Sequence, residues 1–315
     1  MQEILINLGI LVVGFVMLIE GADFFVKGAS TIARKFGVPQ IVIGLTVVAM
    51  GTSAPEAAVS ISAAISGNAD ITIGNVVGSN IMNVFVILGL TALVAPVLVD
   101  RSAVKIDIPF TLVISLLLLP LGLTGAKVNR WEGILLLAIF AAYLIFLFHQ
   151  ARKNSSPDDE LKPTYGQGNM WMILWTIVGL AMIVLGSKCI VYSASEIALD
   201  LGVSQRMIAL TIVAFGTSLP ELVTSVTAAR RGNTGLAIGN IVGSNIFNIL
   251  FVTGLTAAIT PVAFRSAFII DTAIAAFAVL VLWLFSLKSG RLGRISGVVM
   301  LLCYAAYFAF VLFLK

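Results

Sequence analysis

The sequence predicts an all-α, polytopic membrane protein of ten transmembrane helices, arranged as two inverted repeats of five. The first observation behind this prediction is composition: 59% of the 315 residues are hydrophobic and only 11% are charged, whereas soluble domains carry about 25% charged residues. The second is length: apolar runs of ~18 residues or more, enough to cross a bilayer as a helix, recur along the whole chain. The third is a long internal duplication.

The duplicated stretch begins at Gly44 and again at Ala209, and the two copies align without a gap. Aligned pairs lie 165 residues apart: Glu56 with Glu221, Asn75 with Asn240, and Asn83 with Asn248. A period this long indicates duplication of a whole domain half. Because each half holds five spans, an odd number, the second half must enter the membrane from the opposite side, which is typical of transporters.

The elements follow in order along the chain. We predict spans at residues 4–30, 39–66, 71–95, 104–125, 131–149, 170–200, 205–229, 235–260, 267–288 and 294–314. The first span lacks the basic start and the cleavage site of a signal peptide, so it is interpreted as a retained helix. Residues 1–149 then form the first repeat and 170–315 the second. Residues 150–169, rich in Pro, Gly, Ser and charge, form a cytoplasmic linker.

Loop charges predict the orientation. With an external N-terminus, most lysines and arginines fall on the cytoplasmic side, including Arg34, Lys35, Arg101 and Arg231. Cytoplasmic loops carry this excess of basic residues. The sequence therefore predicts a multi-pass protein of the cell membrane with both termini extracellular. The formal net charge of +4 is explained by these loops, and it does not indicate a nucleic-acid partner.

Two spans carry a motif that should break the helix. The motifs are Gly51-Thr52-Ser53-Ala54-Pro55-Glu56 in the second span and Gly216-Thr217-Ser218-Leu219-Pro220-Glu221 in the seventh. Proline lacks an N–H and clashes with the carbonyl four residues earlier, so we expect a break near mid-membrane. Carbonyls such as those of Ala49 and Ala214 would be freed and would face inward, where protein or a wet cavity must receive them.

The third and eighth spans carry polar stripes. Asn75, Ser79 and Asn83 form an i, i+4, i+8 row, and Asn240, Ser244 and Asn248 form its equivalent. The small residues Gly74, Gly78, Gly239 and Gly243 predict close helix packing. Asn80 and Asn245 are expected to point elsewhere on their helices.

These polar groups are all hard oxygen donors, because neither motif contains histidine or cysteine. Such donors favour Ca²⁺, Na⁺ or similar cations over zinc or copper. The two glutamates balance the charge of one Ca²⁺, and Glu56, Glu221, Thr52 and Thr217, with carbonyls and water, would supply its oxygens. Each feature alone also fits a kink, helix packing or interhelical hydrogen bonding. Their symmetric repetition favours a functional site. Asp23 and Lys27 are interpreted as an interfacial ion pair.

The two motifs, with Gly74-Asn75-Val76-Val77-Gly78-Ser79-Asn80 and its partner Gly239 to Asn245, resemble the α-repeats of the sodium/calcium exchanger family. The chain looks like a compact microbial member. The resemblance covers nearly the whole chain and implies four central cation sites, with the first and sixth spans sliding as a gate. The ligands that it implies are Ala49, Thr52, Ser53, Glu56, Ser79, Asn83, Ala214, Thr217, Ser218, Glu221, Ser244 and Asn248.

One departure bears on the coupling ion. Some relatives carry aspartate where this chain has Asn248, and here both Asn83 and Asn248 are neutral. A third intramembrane acid is taken to be absent, which argues against the potassium-dependent branch. The leading hypothesis is an antiporter that extrudes Ca²⁺ in exchange for Na⁺. The alternatives are an H⁺-coupled Ca²⁺ antiporter of the same fold and a passive cation channel.

An intramembrane hydrolase lacks a nucleophile–base pair, so no enzymatic activity is predicted. The transported ions are Ca²⁺ and Na⁺, and the lipid bilayer is the surrounding partner. No cofactor and no obligate protein partner is predicted.

Overall fold

The computed structural model describes residues 2–66, 69, 71–123, 125–153, 169–202 and 214–314. Most of the predicted linker at 150–169 and the start of the predicted seventh span, residues 205–213, lie outside the described residues. The division of the chain into two halves joined by that linker stays a prediction.

The described residues form twelve helices. Their bounds are α1 Gln2–Lys35, α2 Gln40–Thr52, α3 Ala54–Ile65, α4 Ile71–Val94, α5 Ala103–Leu123, α6 Arg130–Lys153, α7 Asn169–Asp200, α8 Ala214–Thr217, α9 Leu219–Arg230, α10 Thr234–Ile259, α11 Ala267–Ser289 and α12 Arg294–Leu314. Eight are long and apolar enough to cross a membrane, and the bent pair α2–α3 provides a ninth span. The tenth, α8–α9, is described from Ala214 onward, and the ten-helix, two-repeat fold is confirmed.

The helices α4 and α10 form the centre of the protein. Within their most apolar windows, 83% of α4 and 89% of α10 are buried, against 22% of α1 and 17% of α12. Glycines let α2 approach α10: a Cβ added at Gly239 would lie 2.5 Å from the Ile41 carbonyl, and one at Gly243 would lie 2.6 Å from Leu45 Cα. The residue of the second repeat equivalent to Leu45, which would be the neighbour of Gly78, is residue 210, and it lies outside the described residues.

The helices α1 and α7 pack against each other along their lengths in antiparallel directions. Gly14 lies against Gly186, and Gly21 lies against Gly179. A Cβ added at Gly179 would come within 2.4 Å of the Phe25 amide nitrogen, so the two backbones are closer than any larger side chain allows.

Two small antiparallel sheets join the repeats. Strand β1 (Val97–Leu98) pairs with β4 (Arg291–Leu292), and β2 (Lys127–Val128) pairs with β3 (Val262–Ala263). Each sheet therefore links a loop of one repeat to a loop of the other. Sequence patterns did not predict these strands, because two residues are too few to show an alternating pattern.

Candidate functional site

The predicted breaks in the second and seventh spans are present, and both occur at a serine. Ser53, with φ −82° and ψ 7°, separates α2 from α3, and the two helices meet at 49°. Ser218, with φ −91° and ψ 1°, separates α8 from α9 in the same way. Pro55 and Pro220 then occupy the first turn of the next helix, where a missing N–H costs nothing. The breaks place Glu56 and Glu221 in the first turn of α3 and α9.

The prediction that the break frees the Ala49 carbonyl is wrong. Its oxygen accepts a hydrogen bond from the Ser53 amide at 2.9 Å, because the helix completes its last turn before it bends. The Thr52 hydroxyl lies 3.4 Å from the same oxygen. A carbonyl has two lone pairs, so this oxygen still has acceptor capacity. Ala214 is described only as the first backbone position of α8.

The two glutamates meet at the centre of the protein, each held by the other repeat. Both are 1% exposed. Ser53 Oγ donates a hydrogen bond to Glu221 Oε1 at 2.8 Å, and Ser218 Oγ donates one to Glu56 Oε1 at 3.4 Å. Ser53 and Ser218 each lie three residues before the glutamate of their own repeat, so these crossed bonds bring the two glutamates together. The opposed repeats therefore bring two acidic groups to one buried point, as the sequence predicted.

The asparagines Asn75 and Asn240 brace the glutamate backbone. Asn75 Nδ2 donates to the Glu56 carbonyl at 3.1 Å, and Asn240 Nδ2 donates to the Glu221 carbonyl at 3.4 Å. The Thr52 hydroxyl donates to Asn240 Oδ1 at 3.0 Å. These bonds connect the polar stripes of α4 and α10 to the broken helices, and they fix the start of α3 and α9.

Two serines that sequence reasoning missed complete these braces. Ser60 Oγ and Ser225 Oγ accept hydrogen bonds from Asn75 and Asn240, each at 2.9 Å. Both serines are fully buried. Ser60 and Ser225 are also 165 residues apart, and this shared spacing was the available signal.

Asn80 and Asn245 also belong to the centre, and the prediction that they point elsewhere is wrong. Asn80 Nδ2 donates to the Asn245 carbonyl and Asn245 Nδ2 donates to the Asn80 carbonyl, both at 3.3 Å. Asn83 Nδ2 donates to Asn245 Oδ1 at 3.0 Å, and Asn248 Nδ2 donates to Asn80 Oδ1 at 3.2 Å. The prediction considered one face of each helix. Because α4 and α10 meet at these residues, a second face is also in contact.

Several buried oxygens at this centre have no hydrogen-bond partner among the described residues. They are Glu56 Oε2, Glu221 Oε2, Asn83 Oδ1 and Asn248 Oδ1. Leaving a buried polar group unpaired costs about 1–3 kcal/mol. All four are carboxylate or amide oxygens, which are hard ligands for Ca²⁺ and Na⁺. The donor set fits a cation.

The remaining predicted residues lie in the same broken-helix and stripe segments. Ala49, Thr52, Ser53 and Ser79 are buried in the first repeat, and Ser218 and Ser244 are buried in the second. Thr217 is half-buried.

The prediction that the spans hold no third acid is also wrong. Asp107 in α5 and Asp271 in α11 are 2% and 7% exposed. The Tyr143 hydroxyl donates to Asp107 at 2.9 Å, and the Tyr307 hydroxyl donates to Asp271 at 3.2 Å. A neighbouring tyrosine offsets part of the cost of burying each acid. These acids lie in the outer pairs α5–α6 and α11–α12, four residues into their spans, so a motif search at the centre overlooks them.

The predicted ion pair of Asp23 and Lys27 is present at 2.7 Å. Asp23 also pairs with Arg231, in the turn between α9 and α10. In the same region Asn233 Nδ2 donates to Ser30 Oγ at 2.9 Å. The turn is therefore attached to α1 by two polar contacts that the sequence did not indicate.

Two inverted repeats with broken helices around a buried polar centre define a secondary transport protein. The family model described as sodium/calcium exchanger protein matches residues 6–149 and 171–313, and the chain belongs to this family.

Individual relatives cover nearly its whole length. CaxA of Alkalimonas amylolytica is 40% identical over 94% of this chain and 95% of its own. The sodium/calcium exchanger MaX1 of Methanosarcina acetivorans is 35% identical over 96% and 98%. A solved structure of the sodium-calcium exchanger NCX_Mj superposes with a TM-score of 0.86 at 33% identity, covering 97% of this chain and 98% of that one.

Proposed function

We propose that the protein is an antiporter that uses the Na⁺ gradient to extrude Ca²⁺, binding both ions in turn at the centre formed by Glu56 and Glu221. One observation carries the proposal: the glutamates of two opposed repeats share one buried point, and each keeps an oxygen without a hydrogen-bond partner among the described residues. Such a point is reachable from either side of a two-repeat protein only by moving the surrounding helices.

Charge supports Ca²⁺ as one of the ions. The two carboxylates balance one divalent cation, and Ca²⁺ takes 6–8 oxygens at roughly 2.3–2.6 Å. The proposed ligands are those the family resemblance implies, from Ala49, Thr52, Ser53, Glu56, Ser79 and Asn83 and from Ala214, Thr217, Ser218, Glu221, Ser244 and Asn248. Na⁺ ions occupying subsets of these oxygens would exclude Ca²⁺ by repulsion. That exclusion is the requirement for exchange rather than joint transport.

The α1–α7 pair is suited to act as the moving part. Its glycine contacts hold the two helices close together, and an apolar pocket of about 480 Å³ lies between part of the pair and α8 and α9. Leu18, Ile190, Phe215 and Leu219 contribute to its lining. Apolar surfaces carry no directional bonds that must break when helices slide. One polar contact does join the pair to α8: Ser187 Oγ donates to the Gly216 carbonyl at 2.7 Å, and the movement would have to break it. We propose that this pair moves against the other helices to open the centre to one side at a time.

Sodium is favoured as the coupling ion by the family and by the relatives MaX1 and NCX_Mj, both of which are named sodium/calcium exchangers. A proton remains the alternative, because two buried carboxylates that repel each other can share one. The excess of lysine and arginine in the loops assigned to the cytoplasm supports a cell-membrane protein whose two termini are external.

The test is uptake of radioactive ⁴⁵Ca²⁺ into vesicles that contain the purified protein and an outward Na⁺ gradient. We expect uptake that stops when choline replaces Na⁺, even with a pH gradient kept in place. Uptake that persists with the pH gradient alone would support proton coupling instead. Uptake that needs no counter-ion would indicate a channel. Vesicles with Glu221→Gln serve as the matched control and should show background uptake only.

A further inference from the structure

We infer that Asn80 and Asn245 are positioning residues, each of which fixes the amide orientation of a proposed ion ligand in the other repeat. The inference rests on the proposed function, since it concerns how Asn83 and Asn248 present oxygen to the ion. It follows from two series of hydrogen bonds, in each of which the donor or acceptor at one step determines the donor or acceptor at the next.

The first series of hydrogen bonds starts from the backbone carbonyl of Asn245. A carbonyl can only accept, so Asn80 must turn its Nδ2 toward it, at 3.3 Å. Asn80 Oδ1 then faces Asn248 at 3.2 Å. Because Asn80 Oδ1 can only accept, Asn248 must present its own Nδ2. The oxygen of Asn248 is left pointing away from this bond, buried and without a partner among the described residues.

The second series consists of the equivalent hydrogen bonds with the two repeats exchanged. Asn245 Nδ2 donates to the Asn80 carbonyl at 3.3 Å, which leaves Asn245 Oδ1 as an acceptor. Asn83 Nδ2 donates to that oxygen at 3.0 Å. Asn83 Oδ1 is therefore the end of its amide that stays unpaired. In both series of hydrogen bonds the fixed starting point is a backbone carbonyl, so the fold determines the orientation of the ligand amide.

This arrangement matters because an asparagine amide has a donor end and an acceptor end of almost the same shape. A freely rotating amide would present its NH₂ group to the cation part of the time, and that contact is repulsive. Asn80 and Asn245 remove this choice. Since Asn80 offers an acceptor to position 248, a carboxylate there would face another oxygen with no proton between them. The network thus matches neutral amides and keeps the proposed site at the charge of its two glutamates.

The orientation depends on groups from both repeats, and that gives the proposal a specific test. Asn245 acts on Asn83 through its side chain, whereas its effect on Asn80 and Asn248 begins at its backbone carbonyl. Asn245→Ala should therefore disturb Asn83 and leave Asn248 oriented. A merely structural role in helix packing would not distinguish between the two ligands.

The experiment is a pair of double-mutant cycles that measure the apparent KM for Ca²⁺ in Na⁺-dependent ⁴⁵Ca²⁺ uptake. The first cycle uses Asn83→Ala, Asn245→Ala and the double variant, and the second uses Asn248→Ala, Asn80→Ala and their double. We expect each positioning variant to raise KM about 10-fold, within the range of coupling between contacting residues. Each double variant should match its ligand variant within about twofold.

The matched control is the off-pair double variant Asn245→Ala with Asn248→Ala, for which the two increases in KM should multiply. Increases that multiply within the Asn83–Asn245 and Asn80–Asn248 pairs as well would overturn the inference. Where an alanine variant does not elute as a single peak, Asn245→Leu or Asn80→Leu replaces it, since leucine keeps the number and branching of the side-chain heavy atoms and removes the hydrogen bonds.

Failure of the proposed function would look different. It would appear as wild-type protein without Na⁺-dependent uptake. The same cycles would then be measured by equilibrium binding of ⁴⁵Ca²⁺ to the purified protein. If the positioning inference fails, wild-type uptake is intact and the increases in KM of the two single variants multiply in every double variant.

Discussion

The two repeats of this protein are alike at the centre and different at the edge. At the centre, Glu56 and Glu221 are equally buried, and each is bonded by the serine of the other repeat. At the edge, Asp23 of α1 forms ion pairs with Lys27 and Arg231. The position in α7 equivalent to Asp23 is Lys188, which cannot form the same pairs.

The difference separates two properties of an exchanger. A symmetric centre offers an ion the same ligands whichever side is open. Asymmetric contacts at the edge change the relative free energy of the two positions of the moving helices, because only a contact present in one of them can shift the balance. We therefore expect changes at the centre to affect transport itself, and changes at the edge to affect only which side is favoured.

The largest effect should come from removing one central charge. Glu56→Gln and Glu221→Gln each leave a single carboxylate facing a divalent ion. Breaking a buried charge pair costs about 3–5 kcal/mol, so each variant should lose at least about 100-fold in Ca²⁺ uptake. The measurement is Na⁺-driven ⁴⁵Ca²⁺ flux at equal protein content. Equal losses in the two variants would support a symmetric centre. A variant that keeps a tenth of wild-type flux would contradict the requirement for both carboxylates.

The next effect should come from the crossed serines, and here the comparison becomes sharper. Ser53 donates to Glu221 at 2.8 Å, whereas Ser218 donates to Glu56 at 3.4 Å. A hydrogen bond to a charged group contributes about 1.5–3 kcal/mol. Ser53→Ala should therefore raise the apparent KM for Ca²⁺ about 10-fold, and Ser218→Ala should raise it less. If the shorter contact gives no extra stabilisation, the increases in KM of the two serine variants will be equal or their order will be reversed.

A smaller effect on stability is expected at the α1–α7 interface. A Cβ at Gly21 would lie 2.7 Å from Met182 Cβ, and one at the equivalent Gly186 would lie 2.7 Å from the Gly14 carbonyl. Overpacking of this kind costs about 1–3 kcal/mol, so Gly21→Ala and Gly186→Ala should lower the thermal midpoint of the protein in detergent by similar amounts. Gly9→Ala is the matched control, since beyond the adjacent backbone of α1 no described atom lies within 4 Å of a Cβ added at Gly9. A drop in the Gly9→Ala midpoint would remove the packing explanation.

The sequence predicted what depends on spacing and failed where contacts depend on three-dimensional position. Constant spacing and a mid-span proline were enough to predict the breaks at Ser53 and Ser218 and the meeting of the two glutamates. The same reasoning placed Asn80 away from the site, because a one-helix wheel does not show which second helix packs against it. It also missed Asp107, whose partner Tyr143 lies in the next helix.

The smallest effect should come from the edge. Asp23 is 26% exposed in its side chain and Arg231 is 36% exposed, and exposed ion pairs contribute about 0.2–1 kcal/mol. Asp23→Asn should therefore change the ratio of Ca²⁺ KM values, measured in inside-out and right-side-out vesicles, by less than about fivefold. The change should shrink in high salt, which screens exposed charges. Lys188→Gln is the matched control, because among the described residues Lys188 has no ion-pair partner, and its ratio should equal that of the wild type. An Asp23→Asn variant that lost uptake from both sides equally would show that this ion pair supports the centre itself. The separation between a symmetric centre and an asymmetric edge would then be wrong.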